Sequence, residues 1–408
     1  MSLPSEAQIV QRQAGAAQAL PVLLASTLPV LGVVALTPNL PTFYAQFAGT
    51  PHSTLLVPML LMIPALCNAA LSWLTGIATD RWGRRRLLVL ATMTHGIFGM
   101  LPLVLQDLRW ILATRFMVGV AETVLWTAAS ALIGDYFLGP DRRKWLAVQD
   151  GVAPILQTAV ILAAGALGTI SWHLPFGVYA LSLVCCLWLL LSTWEPRPAP
   201  TSETSIAHAV HFPWRAAVLV GGVTLFTAII FFVQVLQLGV IFAKLGAESS
   251  LVIGMAIAIA SVGVIAGALI YRKIGQRHVG TLLALVYLMD GVGYIAFAWV
   301  PGYKVGIAVA VVCQVANGIT MPTLVGWALS KFDYSVRGRG MGIWTSCLFL
   351  GQFMSALLVT AATALVGNIL TAVAAIGVVS LAASIAALGA GVRATRRGHL
   401  ARQIPTEG

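Results

Sequence analysis

Ionisable side chains are rare inside the long apolar runs of this 408-residue chain, and the few found there are its candidate chemistry. Each costs about 2.5–3.5 kcal/mol at the centre of a membrane helix on insertion scales, so each implies a function or a dedicated partner. The run at 109–133 holds Arg115, Gly119 and Glu122. Seven residues are about two helical turns, which places Arg115 and Glu122 on nearly one face about 10 Å apart. That is too far for a direct bond, so each needs another partner. The chemistry open to them is reversible protonation, with Glu122 as the leading proton site and Arg115 beside it. The alternative is that both tie helices together through static hydrogen bonds. Asp150 is either a second titrating carboxylate or a partner of Arg142, Arg143 and Lys144 at the start of its own run. Asp290 reads as an inward-facing structural hydrogen-bonding group. His95 reads the same way, with proton relay as its alternative.

The elements that position these groups follow from composition. Hydrophobic residues make up 59% of the chain and charged residues 9%, against about 25% charged in soluble domains. The solvent is therefore a bilayer. Twelve runs are long enough to cross it as helices: 20–42, 53–75, 86–105, 109–133, 144–169, 173–193, 215–241, 249–271, 279–300, 304–329, 339–365 and 367–391. The net charge of +11 does not point to nucleic acid, because the basic residues sit in short connections. Twenty of the 24 lysines and arginines fall in one alternating set of connections, and only Arg109, Lys244 and Lys304 in the other. This asymmetry puts both termini in the cytoplasm. Residues 1–18 lack the pattern of a cleavable signal. The five cysteines lie inside apolar runs without metal or disulfide spacing, and read as packing residues.

A Pro- and Ser/Thr-rich stretch at 195–214 divides the chain into 1–194 and 215–408, six runs each. The halves echo one another. Gly76-x-x-x-Asp80-Arg81-Trp82-Gly83-x-Arg85 returns as Gly267-x-x-x-Tyr271-Arg272-Lys273-Ile274-Gly275-x-Arg277. Asp135-Tyr136 with Arg142 and Arg143 returns as Asp333-Tyr334 with Arg337 and Arg339. Parallel repeats of this kind place a substrate site between the halves near the midplane.

The loop from Gly76 through Asp80, Arg81, Gly83 and Arg84 to Arg85 closely resembles the cytoplasmic loop motif of the major facilitator superfamily. The Asp135…Arg142-Arg143 segment is similar to that family's companion motif, and Arg115-x-x-x-Gly119 to its membrane-arginine motif. The resemblance covers essentially the whole chain. It implies an all-α integral membrane fold of twelve transmembrane helices in two pseudo-symmetric six-helix bundles, rocking around a central cavity. It also implies a secondary transporter, similar to the drug and metabolite exporters that use a proton gradient. Of those exporters' Gly-x-x-x-Gly-Pro-x-x-Gly-Gly motif, the run Gln149–Thr158 keeps Pro154 alone, so proton-coupled uptake stays open beside export. Gly76, Asp80, Arg81, Gly83, Arg84, Asp135 and Arg142 form the expected cytoplasmic gate. Asp80 is expected to reach the start of the eleventh helix near Gly338–Gly342, where the helix dipole favours an anion. That contact would leave the cavity open outward.

Uncharged polar residues recur on the expected cavity helices: Asn39, Gln157, Gln234 with Gln237, and Gln314 with Asn317. Same-face amides orient a ligand by hydrogen bonds, with Phe231, Trp126 and Trp344 among the apolar walls. The alternative is interhelical bonding worth about 0.6 kcal/mol each. Such a wall suits a neutral, zwitterionic or lipophilic small molecule. The expected partners are that substrate, protons and lipid, in a monomer without cofactor or metal. A membrane enzyme would need a motif such as H-E-x-x-H or a P-loop, and neither is present. A receptor would call for a sizeable soluble domain.

Overall fold

The computed structural model describes residues 14–137, 139–196, 212–333 and 336–403. Among them twelve helices follow the twelve apolar runs. The first six are α1 (Ala16–Leu36, prolonged by Leu40–Gln46), α2 (Met59–Trp82), α3 (Arg84–Met100), α4 (Leu108–Tyr136), α5 (Gly139–Ile170) and α6 (Ala180–Ser192). The second six are α7 (Trp214–Lys244), α8 (Ser250–Ile274), α9 (Val279–Ala296), α10 (Tyr303–Lys331), α11 (Arg337–Val366) and α12 (Ile369–Gln403). Among the described residues eleven spans are long and apolar enough to cross a membrane, and in α2 the apolar stretch is the shorter Met59–Ser72. Lipid offers no hydrogen bonds to a backbone, so every long apolar run closes its own ladder as a helix.

Helix ends overrun the apolar runs, because a helix does not stop where hydrocarbon does. The segment read from sequence as a basic loop is the clearest correction. α2 continues to Trp82 and α3 begins at Arg84, so the connection is Gly83 alone. Gly83 adopts φ +93°, a left-handed value that a side chain disfavours. Arg142 and Lys144 likewise lie on the first turns of α5.

Within the first half α4 packs against α1, α2 and α3. Within the second, α9 packs on α12, α8 on α10 and α7 on α11. The α8–α10 pair meets backbone to backbone: a Cβ on Gly267 would lie 2.1 Å from the Val315 carbonyl, and one on Gly318 would lie 2.2 Å from that of Val264.

Between the halves the seams are α1 with α7, α5 with α8 and α2 with α11. At the end away from Gly83, two of these seams are shut. The Thr37 carbonyl fills the place a side chain would take on Gly239, at 2.1 Å. On the α5–α8 seam, a Cβ on Gly165 would lie 2.8 Å from the Ser250 carbonyl, and Thr42 Oγ1 from the end of α1 lies 3.0 Å from Ser250 Oγ. At the Gly83 end, a Cβ on Gly338 or Gly342 at the start of α11 would meet nothing within 4 Å, whereas one on Gly340 would lie 2.4 Å from the Phe332 ring. These two seams are shut at the end that the sequence reading leaves open, and an Asp80–α11 contact would hold the opposite end. The side chain of Asp80 lies outside the described residues.

Gly318→Val is expected to destabilise the protein by about 1–3 kcal/mol, because backbone has to move to admit the new atoms. Gly389→Ala on α12, where a Cβ meets nothing within 4 Å, is expected to be neutral. Thermal unfolding in detergent compares the two.

Candidate functional site

The site is built on the buried face of α4. Asp107 starts this helix, its Oδ1 accepting the Arg109 N–H at 2.8 Å. Gly119 lets α2 close in, since a Cβ there would lie 2.7 Å from Pro64 Cα. That approach brings Asn68 of α2 to Glu122 of α4. Asn68 Nδ2 donates to Glu122 Oε2 at 3.2 Å. On its other side Glu122 Oε1 stands 3.8 Å from His95 Nε2 of α3, and both side chains are almost fully buried. His95 Nδ1 lies 2.8 Å from Ser182 Oγ of α6. A polar chain Asn68–Glu122–His95–Ser182 therefore crosses four helices of the first half.

Arg115 takes a different set of partners. Its Nη1 donates to Tyr179 Oη at 2.9 Å, and its Nη2 to the Phe98 and Gly99 carbonyls at 3.2 Å each. Its guanidinium carbon lies 4.9 Å from the Tyr179 ring centre and 5.2 Å from that of Phe176. Phe98 and Gly99 are the last carbonyls of α3, so the buried cation caps that helix and meets the negative end of its dipole. The side chain of Asp150 lies outside the described residues.

The opposite end of α3 is capped by an anion. Glu195 Oε1 accepts the Arg85 N–H at 3.2 Å, and Oε2 accepts that of Arg86 at 3.1 Å. Arg85 returns the contact: Nε donates to Thr193 Oγ1 at 3.0 Å and Nη2 to the Leu190 carbonyl at 3.1 Å. Arg84 pairs with Asp135. The Arg142 guanidinium lies beside Gly134, 3.6 Å from where a Cβ would be, and Arg81 is exposed. The gate residues whose partners are described thus bind within the first half. The surroundings of Gly76 lie outside the described residues.

The amides divide into two groups. Asn39 Nδ2 donates to the Ala35 and Ala164 carbonyls at 3.0 and 3.1 Å, joining α1 to α5. Gln234 Nε2 donates to Asp290 Oδ1 at 3.2 Å and to the Cys313 carbonyl at 3.0 Å, joining α7 to α9 and α10. Asn317 Nδ2 donates to Gln314 Oε1 at 2.8 Å. The amide nitrogens are thus engaged within the packing, while Asn39 Oδ1, Gln234 Oε1 and Asn317 Oδ1 are buried without a partner. Gln157, Trp126 and Phe231 are half-buried, and Gln237 and Trp344 are buried. Trp126 of α4 meets Phe349 of α11 across the two halves, ring centres 6.3 Å apart. Trp344 Nε1 is buried without a hydrogen-bond partner.

Asn68, Tyr179, Ser182 and Glu195 escaped the sequence reading. Asn68 carried a usable signal, an amide four residues beyond Pro64 inside an apolar run. Glu195 was counted with the linker.

Two helical halves of six, with polar groups buried inside them and packed seams between them, define a multi-pass membrane transport protein. The sequence pattern of the Major Facilitator Superfamily matches residues 22–356, and the chain belongs to that family. It is similar to the class H tetracycline resistance protein of Pasteurella multocida, 24% identical over 80% of this chain and 84% of that one. It is also similar to the class C tetracycline resistance protein of Escherichia coli, 26% identical over 82% and 87%. Among solved structures, a D-xylose–proton symporter superposes with TM-score 0.74 at 14% identity, over 91% of this chain and 96% of that one. That likeness carries the fold alone.

Glu195→Ala removes the anion from the start of α3 and is expected to cost about 1 kcal/mol of stability. Glu195→Gln is expected to fall between it and the parent in thermal unfolding.

Proposed function

We propose that the chain is a monomeric, proton-driven exporter of a neutral, zwitterionic or lipophilic small organic compound, acting in the cytoplasmic membrane with both termini inside. The observation that carries this reading is the buried carboxylate of Glu122. A carboxylate at that depth persists only with a partner or a proton, and the arginine on its own helix is committed to Tyr179 and to the end of α3. Its accessible chemistry is to gain and lose a proton. The relatives that match four-fifths of the chain are named for tetracycline resistance, which favours export of a compound of that class.

Alternating access follows from the seams. Residues 1–194 and 215–408 rock as two bodies joined by the linker 195–214. The seams shut in the present state lie away from the arginine-rich end, which is the cytoplasmic end by charge asymmetry. Gln157, Gln237, Trp126, Phe231 and Trp344 are the side chains assigned to the cavity wall. Asp80, Arg81 and Gly83 belong to the gate that closes when the other end opens.

Proteoliposomes with tetracycline and chloramphenicol as first probes test the function. An exporter exchanging substrate for protons accumulates the probe when the lumen is acidic, and a symporter when the bath is acidic. Glu122→Gln is expected to abolish gradient-driven accumulation; a folded Glu122→Gln protein that still accumulates probe at the parent rate removes the coupling role. Thr42→Cys with Ser250→Cys tests the rocking, on a background in which the half-buried Cys347 is serine. Oxidation is expected to cross-link the pair and stop transport, and reductant to restore it. Undiminished transport by the cross-linked protein would count against motion at this seam.

A further inference from the structure

We propose that His95 is the second half of the proton site, and that His95 and Glu122 hold one transported proton between them. The proposal rests on the coupling role of Glu122 above and adds the group that shares its proton. Three observations carry it. The two side chains are buried against each other, Nε2 to Oε1 3.8 Å. His95 Nε2 has no hydrogen-bond partner, while Nδ1 is engaged by Ser182 Oγ at 2.8 Å. Asn68 donates to the far oxygen of Glu122 and leaves Oε1 directed at the imidazole.

A serine hydroxyl both donates and accepts, so Ser182 serves either imidazole tautomer. When Nδ1 carries the hydrogen, Nε2 offers a lone pair to a protonated Glu122. When Nε2 carries it, the ring donates to the carboxylate. A separation of 3.8 Å exceeds a hydrogen bond by about 0.8 Å, a gap that a small shift of α3 against α4 closes. With one proton on the pair beyond neutral imidazole and carboxylate, the buried site has no net charge, whether as carboxylic acid with imidazole or as carboxylate with imidazolium. Releasing that proton leaves a net negative charge in the packing, which is costly until water reaches it. Loading and release make and break only O–H and N–H bonds, with water on either side as donor and acceptor.

The other titratable groups around the pair have their own places. Arg115 on α4 and Tyr179 beside α6 bond to each other. Cys67 on α2 donates to the Phe116 carbonyl. Cys185 and Cys186 on α6 contact the Pro21 and Val89 carbonyls. Leu28, Leu31 and Gly32 of α1 close the remaining side, where a void of about 10 Å³ adjoins His95, Tyr179 and Ser182.

The experiment compares His95→Gln, Ser182→Ala and Glu122→Gln with the parent in proteoliposomes. It reads gradient-driven transport against pH, and also substrate counterflow, which needs no net proton movement. His95→Gln is expected to keep counterflow and to move the pH of half-maximal driven transport by about one unit, a tenfold change in proton affinity. Ser182→Ala, which leaves both titrating groups in place, is expected to move it in part. Infrared difference spectra on a pH step are expected to show a protonated-carboxyl band that is lost in Glu122→Gln and displaced in His95→Gln. An unmoved pH profile and an unmoved band in both His95→Gln and Ser182→Ala overturn the sharing while leaving Glu122 as the coupling group. Parallel loss of counterflow and thermal stability in His95→Gln, with an unmoved profile in Ser182→Ala, overturns it in favour of a structural histidine. Driven transport retained by Glu122→Gln overturns the underlying assignment instead.

Discussion

A side chain placed in hydrocarbon has no water to fall back on, so each polar group between the membrane faces has to find its partner inside the protein. Much of this molecule follows from that constraint. Asn39 and Gln234 are turned to neighbouring helices. Arg115 gathers two carbonyls, a phenol and two aromatic faces. Tyr294 donates to the Ile230 carbonyl, and Ser380 and Ser384 donate to carbonyls of α9. Among them Glu122 and His95 are a titratable pair buried face to face, 3.8 Å apart.

The constraint also explains how α3 is held. Its first N–H groups meet the Glu195 carboxylate and its last carbonyls meet the Arg115 guanidinium. Both charges lie on the side that the helix dipole favours. They arrive from opposite directions: Glu195 from the chain leaving α6, Arg115 from α4. The helix that carries His95 is therefore held at one end by the helix that carries Glu122 and at the other by the chain leaving the helix that carries Ser182.

The sequence carried the helices of both halves because length and hydropathy decide most of them, eleven of the twelve among the described residues. It carried the internal repeat, and it carried the separation of Arg115 from Glu122, because a helix fixes that spacing within one element. It could not carry what depends on residues far apart. Tyr179 reaches Arg115 across 64 positions and Ser182 reaches His95 across 87, and no local pattern announces either meeting. The basic segment at Gly83 reads as a loop because it lies between two apolar runs, whereas the break needs only one residue with positive φ. Which end is shut was beyond reach for a deeper reason, since one sequence has to encode both states of a rocking molecule.

The seal at the shut end has an energetic meaning of its own. Beside buried apolar side chains such as Phe43, Phe242 and Ile253, its polar contacts are backbone laid against glycine and two hydroxyls, Thr42 and Ser250. A hydroxyl contact of this kind contributes about 0.6 kcal/mol in a membrane protein, and no charge has to be stripped of or returned to water when it parts. Two conformers joined by such a contact stand close in free energy, and a small differential affinity tips the balance between them. One unit of pH, about 1.4 kcal/mol on a single titrating site, exceeds that hydroxyl contact. A soft seam is thus what lets a modest gradient turn the molecule over, where a seam bolted by ion pairs would hold it still.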